Sequence, residues 1–492
     1  MTDNLKNKAV TGASWLLVAQ VGSQVVKFAV AAVLARILTP EEFGLIGMVL
    51  IFSGFANLFN DMGFSDALIQ KQDVNDRHFS SVFWLNLFIA LLMMALLALG
   101  APLLASFFNQ PELTPLARLL SINFLIGSLV IVIRAKLTRS MDFRTLSVIE
   151  IIAALASGIL GIVLALLGFG VYALVAQILG MTACLTVLIW LSSDWRPSWL
   201  FSFSAIRELL GFSMGIMGGN SLNYWIRNAD NLLIGKVLGT TELGLYTRAY
   251  MIMLLPLSQI SGVLTRVMFP TLASIQGDKA RSRQIYLRAI SAIALFTFPS
   301  MLGLLVVADE FVLVVFGSKW SEMIPVLRVL CIVGMLQSVN ATVGWIYNSQ
   351  GRSDIQFWWI FFGSILTFVA FGIGIYWGIL GVATAYAIRV FSTTWLNFYI
   401  PGRLIEMSVK DVAKVLYQPL LLSIAMAALV AFAGLIIPDV WSQPLRLLVL
   451  IATGVLVFTC SIHWFKLPAY TDLIQIAREN GFGMRRRLPH ST

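Results

Sequence analysis

The sequence predicts an all-α polytopic membrane protein, built as two parallel-repeat six-helix bundles around a central cavity plus two C-terminal helices. Three observations carry that prediction. Charge is depleted, apolar runs of bilayer length recur along the chain, and one motif returns at an offset of 200 residues.

Of 492 residues, 59% are hydrophobic and 12% charged, against about 25% charged in a soluble protein. Mean hydropathy is +0.86. Apolar runs extend from residue 14 to residue 465 with no polar block long enough to fold separately. A secreted or cytosolic enzyme is excluded, as is a single anchor with a large aqueous head. The net charge of +10 sits in short turns between apolar runs, which is membrane topology rather than a nucleic-acid surface. Cys184, Cys331 and Cys460 lie in apolar stretches far apart, and suit neither a disulfide framework nor a metal site. No cofactor is expected.

A helix needs about 20 apolar residues to cross a bilayer. At that length fourteen spans are marked: 14–38, 43–63, 79–106, 116–135, 147–167, 171–191, 209–235, 246–268, 289–308, 324–346, 356–376, 379–399, 416–437 and 445–465. Lys27 interrupts the first, and no small-residue cleavage site follows a short apolar core, so it is no cleavable signal peptide. Alternate loops differ in charge. One set carries Lys6, Lys8, Lys71, Arg77, Arg134, Lys136, Arg139 and Arg144, then Lys279, Arg281, Arg283 and Arg288, then Arg403, Lys410 and Lys414, and finally Arg485, Arg486 and Arg487. The other carries Glu41, Glu42, the turn Gly168–Gly170, Asp309, Glu310 with Lys319, the turn Trp377–Gly378, and Asp439. The basic set marks the cytoplasmic side, so both termini are expected there. An even number of spans is required, which fourteen or twelve satisfies.

LARILTPEEFGL (34–45) aligns with IGKVLGTTELGL (234–245), matching Leu38 with Leu238, Glu42 with Glu242, Gly44 with Gly244 and Leu45 with Leu245. In the same register Arg36 meets Lys236 and Lys27 meets Arg227. Six spans intervene, so the two copies point the same way through the membrane, and parallel repeats are related by an axis along its normal. The expected division is a first bundle over 1–206, a second over 207–402, an accessory helix pair over 403–465 and a cytoplasmic tail over 466–492.

A charge near mid-bilayer costs roughly 2.5–3.5 kcal/mol on insertion scales. Lys27 and Arg227 both fall inside spans, in the outer half of the core. Gln20, Ser23, Gln24 and Lys27 share one side of the first span, and Asn220, Asn223, Arg227 and Asp230 share one side of the seventh. Turned toward a shared centre, the two stripes would line a water-accessible cationic chamber. Arg248 and Arg389 could add to it, and Arg266 could help close its inner mouth. The alternative for Arg227 is a buried ion pair with Asp230, one turn away, that only fixes packing. Gly211, Gly215 and Gly219 suggest close helix packing or a hinge, and Pro256 and Pro299 are candidate bends, since proline removes a backbone donor. No phosphate loop, zincin motif or nucleophile elbow is present. His78, His463 and His490 stand apart in the sequence, and outward loops are mostly short. The chain therefore reads as no enzyme.

LARILTPEEFGL, GFSDALIQK (63–71), RNADNLLIGKVLGTTELGLYTRAY (227–250) and FPTLASIQ (269–276) resemble the Wzx-type polysaccharide exporters. These are lipid-linked oligosaccharide flippases of the multidrug/oligosaccharidyl-lipid/polysaccharide superfamily, and the colanic-acid-type branch is most similar. The resemblance implies a substrate of oligosaccharide on undecaprenyl diphosphate, carried by alternating access from the inner to the outer leaflet of the bacterial inner membrane. It implies cationic cavity residues, a role that falls on Arg227 and Lys27 and more weakly on Arg248 and Arg389. Asp230 is the best-placed acid for ion coupling. Guanidinium groups match diphosphate oxygens with paired hydrogen bonds, and Asn220, Asn223, Gln20 and Gln24 suit sugar hydroxyls. Tyr224 and Trp225 could stack on sugar rings or serve packing. Besides the glycolipid and membrane lipid, partners implied are a polysaccharide polymerase and co-polymerase; no nucleic acid is expected. Competing readings are a cation-coupled drug exporter of the same superfamily, a membrane polymerase or ligase, and a non-transporting scaffold.

Overall fold

The computed structural model describes residues 22–438, 440–465 and 470, with the side chains of 212, 215, 216, 258–263, 266 and 267 outside the description. The start of the first expected span, Gln20, the Arg266 side chain and the expected tail apart from Tyr470 lie outside the described residues.

Every regular element among the described residues is helical. Helix α1 covers 22–37. It is followed by α2 (Pro40–Asp61), α3 (Phe64–Gln70), α4 (Asp76–Phe108), α5 (Leu113–Arg139), α6 (Phe143–Leu166), α7 (Val171–Leu191), α8 (Phe203–Val237) and α9 (Thr240–Ser274). Then come α10 (Lys279–Val306), α11 (Ala308–Val315), α12 (Met323–Asn340), α13 (Val343–Ser349), α14 (Ser353–Gly374), α15 (Gly378–Gly402), α16 (Val409–Ile436) and α17 (Gln443–Phe465). Each helix start leaves backbone donors unpaired, and local side chains satisfy them. Thr39 and Glu42 close a capping box on α2, where Pro40 supplies the fixed φ of a first turn. Asn75 caps α4, Asp142 α6, Ser202 α8 and Ser408 α16.

Ten segments of the described chain are both long and apolar enough to cross a bilayer, and one of them, Ser353–Ile405, holds both α14 and α15. The sixth expected span, 171–191, coincides with α7. The 35-residue helix α8 is long enough but is not among the ten, since polar side chains such as Asn220, Asn223, Arg227 and Asp230 lower its hydropathy. Helices α9 and α10 run on through Pro256 and Pro299. The expected span 324–346 is interrupted after Asn340. There Thr342 Oγ1 bonds the Val339 carbonyl at 2.7 Å and meets Tyr286 Oη at 2.7 Å, so a side chain competes with the helical ladder.

The chain divides into two compact units, Met1–Thr247 and Arg248–Thr492, with the boundary inside α9. In the first, α4 pairs with α5, α6 with α7, and α8 lies on α2, α3 and α4. Its core gathers Phe64, Phe83, Ile133, Trp195 and Leu209. Phe88, Leu92, Leu96, Leu99 and Leu103 form an exposed stripe on α4 at helical spacing, as a lipid-facing helix requires. In the second unit, α10 packs on α12 and α16, α15 on α12 and α14, and α16 on α17. Tyr286, Ile290, Ile293, Phe298 and Tyr347 occupy its core.

Among the described residues, a Cβ on Gly211, Gly218 or Gly219 of α8 would meet no heavy atom within 4 Å, so these three are not close-approach positions there; Gly215 lies outside the description. The tight positions are elsewhere: a Cβ on Gly158 of α6 would lie 2.3 Å from Val30 of α1, and one on Gly54 of α2 would lie 2.3 Å from Tyr224 Oη.

Candidate functional site

Helix α8 separates its side chains by chemistry. Asn220, Asn223 and Arg227 recur at helical spacing and are all exposed. Tyr224 and Trp225 turn the other way, onto α2. The Tyr224 hydroxyl lies 2.7 Å from the Ile51 carbonyl and 3.1 Å from that of Leu50. Trp225 packs against Phe55 with ring centroids 4.9 Å apart and edge-on to Phe52 at 6.2 Å. Both aromatic rings are spent on the α2–α8 seam, so the sugar-stacking alternative gives way to packing.

Asp230 is 4% exposed and accepts a hydrogen bond from the Tyr246 hydroxyl of α9 at 3.0 Å. Arg227, one turn earlier, forms no ion pair with it; among the described residues Arg227 makes no hydrogen bond or salt bridge. The buried Arg227–Asp230 pair is therefore not present. Lys27 on α1 is likewise exposed and unpaired among the described residues. Gln24 beside it is half-buried, and Ser23 is buried with no partner for its hydroxyl. Lys27, Gln24, Asn220, Asn223, Arg227 and Asp230 all belong to the first unit.

The other two expected cations belong to the second unit. Arg248 is half-buried, with Nη1 3.5 Å from Met251 Sδ. Arg389 of α15 reaches the Gly363 carbonyl of α14, donating from Nη2 at 2.7 Å. A Cβ on Gly363 would come 2.7 Å from Nη2, so the guanidinium would have to shift. A partner absent from its own helix is thus found on the neighbour, and Arg389 serves as a cross-helix tie.

The second unit also holds an apolar cavity of about 680 Å³ beside α10, α16 and α17, lined by Phe296, Pro299, Met426, Val430, Leu450 and Phe458 among others. Nothing in the sequence marked this cavity, because its lining is drawn from helices more than 100 residues apart.

A cationic cluster at the starts of α4 and α8 was also missed. His78, alone in sequence, is 7% exposed and sits with Nδ1 2.7 Å from Asn75 Oδ1 and Nε2 3.4 Å from Glu208 Oε2. Lys71 pairs with the same Glu208 oxygen. Arg77 donates to Ser204 Oγ at 3.2 Å, and Trp195 Nε1 to Asp76 at 3.2 Å. Arg139 spends its guanidinium on the carbonyls of Leu68, Lys71 and Gln72 at 2.6–2.7 Å. Glu208 precedes the expected span 209–235. Hydrogen bonds from Lys71 first, and then from His78, hold its carboxyl below the ordinary range. Among the described residues no group of His, Cys, Asp and Glu could hold a metal ion.

The family described as polysaccharide biosynthesis protein matches residues 33–325. The chain is 30% identical over 465 residues to the teichuronic acid biosynthesis protein TuaB of Bacillus subtilis (strain 168), covering 92% of this chain and 95% of that one. It is 29% identical over 411 residues to the lipopolysaccharide biosynthesis protein WzxC of Escherichia coli (strain K12), covering 81% of each. Its fold is similar to that of the lipid II flippase MurJ in an inward closed conformation, with a TM-score of 0.73 at 16% identity over 93% of this chain and 99% of that one. The resemblance carried by the repeated motifs is borne out, as is the all-α, multi-pass membrane fold. This chain belongs to the polysaccharide biosynthesis protein family.

Proposed function

We propose that the protein is a flippase that carries undecaprenyl-diphosphate-linked oligosaccharide from the inner to the outer leaflet of the bacterial inner membrane by alternating access, without catalysis. One observation carries the reading. Lys27 and Arg227, matched by the repeat at 227 − 27 = 200 residues, are exposed cations inside expected spans with no partner among the described residues. Placing an unpaired charge at such a depth is costly, and an anionic headgroup passing through supplies the missing counter-charge. Arg227 gives the diphosphate a planar fork of donors, Lys27 a compact charge, and Asn220, Asn223 and Gln24 match sugar hydroxyls. Arg248 contributes a further positive charge, and Asp230 remains the acid best placed for ion coupling.

The apolar cavity beside α10, α16 and α17 suits a polyprenyl chain that stays in an apolar environment while the headgroup moves. The functional division follows the repeat, with bundles over 1–206 and 207–402 as the halves that move and 403–465 as the accessory pair. Both termini face the cytoplasm. A polysaccharide polymerase and co-polymerase receive the exported unit.

Arg227→Ala tests the reading. Surface polysaccharide should be lost and lipid-linked repeat units should build up in the inner leaflet at unchanged protein abundance, with Arg227→Lys keeping part of the activity. Normal export by Arg227→Ala at normal abundance removes the role.

A further inference from the structure

The cluster of Lys71, His78 and Glu208 has an arrangement that a plain helix tie does not need. Two nitrogen-bearing side chains converge on one carboxylate oxygen, Glu208 Oε2, with His78 Nε2 at 3.4 Å and the Lys71 ammonium in contact. His78 is almost fully buried, and its Nδ1 is oriented by Asn75 Oδ1 at 2.7 Å. The Asn75 backbone N–H donates to Nδ1 at 3.4 Å, so in the neutral ring the proton sits on Nε2, which donates to the carboxylate. Glu208, by contrast, is half exposed, with its side chain 51% accessible. The donor side of this pair is thus preformed and held, and the anion side is loosely held. Exposed ion pairs contribute little, so a better anion displaces this one readily. Arg77 stands beside the cluster and, among the described residues, makes one bond, to Ser204 Oγ, leaving donors over.

We propose that Lys71 and His78, with Arg77 beside them, form a phosphate-binding site at the cytoplasmic mouth of the protein. Glu208 occupies that site in this structure, and the diphosphate of the incoming ligand displaces it. A diphosphate brings more charge and more acceptor oxygens than one carboxylate and engages ammonium, imidazole N–H and guanidinium donors together. Displacement removes the ties from Lys71 and His78 to the start of α8, so ligand arrival is coupled to release of that helix end. The identity of the ligand rests on the transport reading above; the anion site does not.

The test uses the full-length protein in phosphatidylcholine nanodiscs, with radiolabelled inorganic diphosphate as the probe in equilibrium dialysis. Glu208→Gln should bind diphosphate more tightly than the wild type, by up to about fivefold for each exposed pair removed. Adding Lys71→Met to Glu208→Gln should abolish the gain. Equal binding by wild type and Glu208→Gln, with both proteins monodisperse, overturns the site. In discs containing phosphatidylglycerol, unchanged diphosphate binding supports the ligand's diphosphate as occupant. Full displacement by that lipid overturns it in favour of a bilayer headgroup. Binding needs no transport, so normal export by Arg227→Ala would refute the route while leaving this result standing, and the reverse also holds.

Discussion

Gly44 and Gly244 each lie against the backbone of the other's motif. A Cβ on Gly44 would fall 1.8 Å from the Thr240 carbonyl oxygen, and a Cβ on Gly244 would fall 1.9 Å from that of Pro40. Both intervals are the repeat offset, 244 − 44 = 240 − 40 = 200. The start of α2 and the start of α9 therefore make one contact twice, and only a residue without a side chain permits either half. In an open helix interior Gly→Ala stabilises by up to about 1 kcal/mol. Gly44→Ala and Gly244→Ala should instead lower stability by about 1–3 kcal/mol, the usual cost of overpacking. Gly211→Ala, in open space, should be neutral or stabilising. Thermal unfolding of the purified protein in detergent compares the three, and equal behaviour of Gly44→Ala and Gly211→Ala refutes the contact.

Export and stability should separate on α8 and α9. Arg227 is exposed and unpaired among the described residues, so Arg227→Ala should melt within about 0.5 kcal/mol of wild type even though export is lost. Tyr246→Phe strips a buried carboxyl of its hydroxyl donor and should destabilise by about 1–3 kcal/mol. A melting loss in Arg227→Ala as large as that of Tyr246→Phe would show that Arg227 is structural.

Arg389 and Gly363 should behave as one unit. Arg389→Met removes the donor, and Gly363→Ala puts a methyl group where the guanidinium sits. Each should cost about 1.5–3 kcal/mol, the range for a hydrogen bond to a charged group. The double variant should cost little more than either single one. Additive losses in a double-mutant cycle on unfolding would place the two effects in separate interactions.

The tie from Lys71 and His78 to Glu208 carries a pH signature. Because the Glu208 carboxyl is held low by these two partners, its contribution is fully present above the ordinary glutamate value and fades as pH falls through the lowered one. The difference in melting temperature between wild type and Glu208→Gln should stay level from neutral pH down to the ordinary glutamate value, shrink as pH falls below it, and vanish only below the lowered one. A gap with no change below the ordinary value would mean that the carboxyl is unpaired in solution.

Spans were legible because hydropathy over about 20 residues is a local property; α7 begins and ends where its apolar run does. The repeat was legible too, and it named Gly44 and Gly244 as matched positions, but alignment gives correspondence and not contact. Spacing misled at Gly211 and Gly219, since a stripe of small residues identifies a face and says nothing of whether a neighbour lies against it. For Tyr224 it left two roles open, and the carbonyls of Leu50 and Ile51 decided between them. Arg389 and His78 looked solitary because their partners, Gly363 and Glu208, stand 26 and 130 residues away. Contacts across that distance are set by how helices pack, which composition and period do not encode.

The paired approach of Pro40 to Gly244 and Thr240 to Gly44 joins one patch to its own counterpart. A patch that fits its own copy is self-complementary, the property that lets identical subunits associate around a two-fold axis. Within this single polypeptide the two TPEEFG-like turns thus meet as twin subunits would, so a side chain that widens one turn also disturbs the half-contact made by the other.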